Sequence, residues 1–110
     1  MNPPLRSARD REAILEGLVD GTLTIISSDH APHSQSEKDV EFDYAPFGIV
    51  GLETELALSL MALVHTGRLS LIGTLAKLTS EPAKLLRFKD GRGEIRVGGA
   101  GDLTVFDPDE

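Results

Sequence analysis

Leu23-Thr24-Ile25-Ile26-Ser27-Ser28-Asp29-His30-Ala31-Pro32-His33 is the stretch on which the reading of this 110-residue chain turns. Its first five residues are short, β-branched and apolar, the make-up of a buried strand. At Ser28 the run changes abruptly to polar residues. In α/β barrels, polar side chains just past the C-terminal end of a strand are where active sites are built. Asp29 occupies that position. A carboxylate there can bind a divalent metal or move a proton, and equally it can cap a turn. His33, four residues on, can bind metal or hydrogen-bond an anionic substrate, and a lone loop histidine is more often plain surface. His30 is the weaker candidate, because its neighbour Asp29 points elsewhere, and His65 reads as a helix-end residue.

Upstream, Ser7 to Val19 predicts a helix. Ser7 is the cap, Asp10 completes a capping box, and Ile14, Leu15, Leu18 and Val19 form one apolar stripe. Gly21 is its stop. Downstream, residues 34–50 form a long loop in which Phe42, Tyr44 and Phe47 are expected to pack. Leu52 to Val64 predicts a mostly buried helix with Glu53 and Glu55 in its first turn. Ser70 and Ser80 read as caps of further helices, with Pro82 in a permitted early position. After Arg87, glycines punctuate Glu94–Val97 and Asp102–Phe106, which read as two strands joined by a glycine turn. These glycines match neither GxGxxG nor a P-loop. Helix, strand, long loop and helix in that order is the rhythm of a parallel α/β fold. A lone parallel strand, however, needs neighbours that this chain does not supply.

Composition narrows the function. Hydrophobic residues make up 40% and charged residues 26%, an ordinary globular balance. A net charge of −7 with no basic stripe argues against nucleic-acid backbone binding. The start is polar almost at once and no apolar run is long enough to span a bilayer, so neither a signal peptide nor a membrane segment is expected. The absence of cysteine removes disulfides and thiolate metal sites, which is compatible with a cytoplasmic location.

Ser28-Asp29-His30-Ala31-Pro32-His33 resembles the last metal-site motif of dihydroorotases, a branch of the amidohydrolase superfamily. Met1-Asn2-Pro3-Pro4-Leu5-Arg6 is similar to a second motif of that family, and Ala45-Pro46-Phe47-Gly48 to a third, in the same order. Residues 101–108, Gly-Asp-Leu-Thr-Val-Phe-Asp-Pro, resemble the strand that returns to the family's small β-domain. The hydantoinases and allantoinases share the Asp-His pair but usually lack the NPPLR element. The resemblance therefore implies an α/β fold: the last strand and helices of a (β/α)8 barrel over residues 1–90, and strands of a small β-sandwich domain over 91–110. A whole barrel takes about 250 residues, so the chain is expected to be a C-terminal piece of a longer protein.

The resemblance also implies roles. Asp29 is a metal ligand and the general base, then general acid. Asn2 hydrogen-bonds the substrate ring, His33 holds the substrate carboxylate, and Phe47 and Gly48 contact the ring through their backbone. The implied cofactor is zinc, one or two ions, with the other ligands outside this chain. The implied reaction is the reversible hydrolysis of dihydroorotate to carbamoyl aspartate in pyrimidine synthesis. Implied partners are the rest of the barrel, a second copy, or aspartate carbamoyltransferase. Two alternatives stand beside this: another cyclic amidase of hydantoinase or allantoinase type, and a non-catalytic scaffold for aspartate carbamoyltransferase. On either enzymatic reading, the 110 residues alone are expected to hold zinc poorly, to lack hydrolase activity, and to expose apolar faces around Leu15, Ile25 and Leu56.

Overall fold

The computed structural model describes residues 3–4 and 7–109. The elements, in chain order, are α1 (Ala8–Asp20), α2 (Gln35–Lys38), α3 (Glu55–Ser59), a π-helical turn (Leu60–Val64), α4 (Leu71–Leu78) and α5 (Ser80–Leu85). Local chemistry sets most of their ends. The Ser7 side chain accepts from the Asp10 N–H while the Asp10 carboxylate accepts from the Ser7 N–H, at 3.2 and 3.0 Å. This is the expected capping box. Gly21 ends α1 at φ 86°, a left-handed conformation that glycine adopts without steric cost. Ser70 caps α4 by accepting from the Gly73 N–H.

Three expectations need correction here. Leu52–Val64 is not a single α-helix: residues 52–54 form a turn, and the helix begins at Glu55 and widens into the π-turn at Leu60. The N-cap of α5 is Thr79 rather than Ser80, and the Thr79 hydroxyl donates back to the Leu75 carbonyl instead of capping forward. Among the described residues no run forms a strand; the single ladder element is an isolated parallel bridge between His30 and Ile49. Leu23–Ser27 is therefore an extended segment without sheet partners, and Glu94–Val97 and Asp102–Phe106 are irregular. The reason is common to all three. A strand is held by hydrogen bonds to a neighbouring strand, and its apolar side chains need a facing layer. Ile95 and Val105, at 91% and 98% exposure, have neither.

What organises the chain instead is a small helical cluster. The π-turn packs on α3 and α4, and α4 on α5; Leu60 and Leu63 of the π-turn, Thr74 of α4 and Leu18 of α1 are buried. The Lys77 ammonium donates to the Leu23 carbonyl, and the Lys77 carbonyl accepts from the Ile26 N–H, so α4 grips the extended segment from one side. Arg68 reaches back to Glu12 with a two-pronged ion pair, which holds the Glu12 carboxyl below its ordinary range.

Outside this cluster, apolar surface is open. Leu15, Ile25 and Leu56 are half-buried rather than exposed as the sequence led us to expect; exposed apolar residues of the helices include Ile14 and Val19 on α1, Leu58 on α3, Met61 in the π-turn and Ile72 on α4. The radius of gyration is 16.4 Å, against about 13 Å for a compact domain of this length. No helix among the described residues is long and apolar enough to cross a membrane.

Candidate active site

The extended segment ends at Asp29, which sits at φ 47°. A non-glycine residue in this left-handed region is strained, although Asp tolerates it better than most, and such outliers cluster at functional sites. The turn at Asp29 redirects the chain so that His30 pairs with Ile49 across the long loop. The Ala31 N–H then donates to the Ile49 carbonyl at 2.9 Å. Asp29 itself is exposed.

Further bonds lay the loop along residues 28–33. His30 Nδ1 accepts from the backbone N–H groups of Gly51 and Leu52, at 2.9 and 3.2 Å. An Nδ1 that accepts two N–H bonds leaves the ring proton on Nε2. Gly51 approaches so closely that a Cβ would stand 2.9 Å from Ser28 Cβ. Gly48 is tighter still: a Cβ there would lie 2.6 Å from His33 Nε2, 2.7 Å from Ala31 Cβ, and closer yet to the Ala31 carbonyl oxygen. Only glycine fits beside the imidazole. Lys38, at the end of α2, fastens the other side by donating to the carbonyls of Pro46 and Gly48.

The short helix α2 follows directly on His33. Ser34 and Glu37 form its capping box, and Glu37 also lies 3.9 Å from His33 Nδ1. The Ser34 N–H and hydroxyl both donate to Glu37, which pulls its carboxyl below the ordinary value of 4.5. The His33 side chain is 28% exposed, enclosed enough to be oriented and open enough to meet a ligand.

Of the residues singled out in the sequence, the structure brings together His33 and Gly48, with Phe47 between two fastened carbonyls. Phe47 is exposed, as are Phe42 and Tyr44, rather than buried as expected, and the loop is fastened by its backbone and by Lys38. Asn2 lies outside the described residues. His65 is confirmed as a helix-end residue, hydrogen-bonded through Nε2 to the Pro108 carbonyl. Sequence reasoning missed Lys38 and Glu37 and undervalued His30. The Ser34/Glu37 capping pattern was legible, whereas the loop bonds of Lys38 and His30 carry no local signature.

Among the described residues no group of three or more His, Asp or Glu side chains is gathered so as to hold a metal ion. Asp29 stands as a single donor, and a four-coordinate ion needs at least three protein ligands. These residues alone therefore do not fit a resident zinc ion. What they form is a carboxylate at a strained turn, an imidazole four residues on, and a backbone loop held against that imidazole.

The amidohydrolase family model matches residues 2–110. The chain is 52% identical over 110 residues to a dihydroorotase of Clostridioides difficile (strain 630), covering all of this chain and 26% of that protein. It is 56% identical over 108 residues to a dihydroorotase of Geobacter sp. (strain M21), covering 98% of this chain and 25% of that one. For a dihydroorotase of Endomicrobium trichonymphae the identity is 52% over 107 residues, 97% and 25% of the two chains. The chain thus spans about a quarter of the length of the curated relatives it matches. With the family model matched over nearly its whole length, and with a strained Asp29 followed by a fastened imidazole and loop, the chain belongs to the amidohydrolase family.

Proposed function

We propose that this chain is the C-terminal quarter of a cytoplasmic dihydroorotase, which opens the ring amide of dihydroorotate to give carbamoyl aspartate and runs the reverse closure. The observation that carries this reading is the loop 46–49 laid along residues 30–33, with Gly48 against His33, in a chain about half identical to dihydroorotases. Residues 1–90 are then the closing part of the barrel. Residues 91–110 are then an incomplete part of the small β-domain, and their pairing needs strands from outside this chain.

Hydrolysis adds water across the ring C–N bond. The attacking oxygen must lose a proton, and the departing ring nitrogen must gain one. Asp29, exposed at the end of the extended segment, takes the first proton and returns it to the nitrogen, acting as base and then acid. His33 donates a hydrogen bond to the substrate carboxylate, and the Phe47–Gly48 backbone and Asn2 position the ring. Asp29 would also be one ligand of a metal ion, zinc on this reading, with the other ligands lying beyond this chain.

The test is Asp29→Asn in the full-length enzyme. Asparagine keeps the shape and removes the proton acceptor, so kcat for dihydroorotate should fall by a factor of about 10²–10⁴. Near-normal turnover in that variant sinks the assignment of Asp29. Wild-type activity on hydantoin or allantoin in place of dihydroorotate overturns the substrate, and no activity on any cyclic amide would favour a scaffold.

A further inference from the structure

Lys38 plays no part in the chemistry described above, yet its ammonium is more closely tied to the candidate site than any other cation among the described residues. Nζ donates to the Pro46 carbonyl and to the Gly48 carbonyl, both at 2.6 Å, and is partly buried in doing so. Charge-assisted bonds of this length are among the stronger ones a side chain makes. They bracket Phe47, the residue whose backbone, with that of Gly48, is read as contacting the substrate ring.

We infer that Lys38 is a positioning residue: its ammonium, bonded to the carbonyls of Pro46 and Gly48, sets the height and tilt of the Phe47–Gly48 backbone against His33. The inference rests on the dihydroorotase reading for what that backbone binds, but not for the clamp itself. A trans peptide carries its C=O and N–H on opposite edges of one plane. Drawing the Pro46 carbonyl toward Nζ therefore turns the Phe47 N–H to the far edge, away from the lysine. Drawing the Gly48 carbonyl the same way fixes the Gly48–Ile49 peptide, whose far edge is the Ile49 N–H, so the Phe47–Gly48 peptide is held from both ends. Between the two fastened peptides, Gly48 has no side chain with which to hold its own place, and its contact with His33 leaves no room for error.

Lys38 is suited to this for a second reason. It ends α2, whose opening Ser34–Glu37 capping box begins one residue after His33. The helix is only four residues long, so Glu37 beside the imidazole and Lys38 beneath the loop are adjacent in sequence. Both contacts are thus carried by a single helical turn. Lys38 is flanked by two carboxylates, Glu37 and Asp39; Glu37 is already engaged by Ser34, and the lysine's bonds go to the loop carbonyls.

The experiment uses the full-length enzyme with Lys38→Met, which keeps the apolar stem and removes the donors, and Lys38→Gln, which keeps a neutral donor. Two readouts are taken: hydrogen–deuterium exchange of peptides covering residues 44–50, and steady-state kinetics with dihydroorotate. Loop exchange should accelerate in both variants, more in Lys38→Met. KM should rise roughly ten- to a hundredfold in Lys38→Met and less in Lys38→Gln, while kcat changes by less than about threefold. Lys38→Arg, which can still donate to both carbonyls, should recover most of the lost affinity.

Unchanged loop exchange in either variant overturns the clamp, whatever the activity. Accelerated exchange with an unchanged KM overturns the positioning role. A wild-type enzyme that does not act on dihydroorotate defeats the substrate reading instead, and the exchange data still decide whether Lys38 holds the loop. If Lys38→Met does not fold, Lys38→Gln decides by the same two readouts.

Discussion

Replacing Gly48 by alanine adds one methyl group at the tightest point of the candidate site. That methyl would stand 2.6 Å from His33 Nε2 and 2.7 Å from Ala31 Cβ, with the Ala31 carbonyl oxygen nearer still. Ordinary contact begins at 3.4 Å, so the loop and residues 31–33 must separate by about 1 Å to clear the Ala31 carbonyl oxygen. The Ala31 contacts involve backbone, which is joined to the loop through the Ile49 carbonyl and cannot swing away as a side chain can. Overpacking of this kind costs about 1–3 kcal/mol in stability. The effect on function is expected to be larger than on folding, because a displacement near 1 Å at a substrate-positioning group costs about a hundredfold in rate. In the full-length enzyme, Gly48→Ala should lower kcat/KM for dihydroorotate by about that factor, with a melting temperature only a few degrees lower. Gly21→Ala is the control for strain without contact: it meets nothing within 4 Å, sits far from the loop in sequence, and carries a backbone penalty at φ 86° that Gly48, outside the left-handed region, does not. Equal kcat/KM in Gly48→Ala and wild type would refute the close approach of loop and imidazole.

Two other perturbations follow from the same geometry. His30→Ala removes the acceptor of two backbone N–H groups and should cost about 1–2 kcal/mol, whereas His30→Asn, whose side-chain oxygen can accept in its place, should cost less; urea denaturation of both variants checks the order, and equal costs count against the acceptor role. Glu37 is held below its ordinary value of 4.5 by the Ser34 N–H and hydroxyl, so its support of α2 is complete above that value and is lost as pH falls through its lower folded-state value. Exchange of the Ser34 amide should therefore accelerate on acidification beyond its intrinsic pH dependence, and a Glu37→Gln variant should lack that extra response.

The local parts of this structure were legible because their causes lie within a few residues of one another. Ser7 and Asp10 close a capping box across three residues, Ser70 meets the Gly73 N–H across three, and Gly21 stops α1 through its own backbone freedom. The three motifs that point to the family are likewise continuous stretches, read without knowing what they touch. Leu23–Ser27, Glu94–Val97 and Asp102–Phe106 have the composition of strands, but a strand exists only when another chain segment completes its ladder. That partner is not encoded in the segment itself.

Sequence by itself thus determined the helix caps, the family motifs and the candidacy of Asp29 and His33. Tertiary structure alone decided that the loop folds back along residues 28–33, that His30 serves as a hydrogen-bond acceptor for Gly51 and Leu52, and that Lys38 reaches Pro46 and Gly48. Those bonds join groups separated by 8 to 22 residues. Their partners are selected by the path of the loop, and no pattern of neighbouring residue types specifies that path in advance.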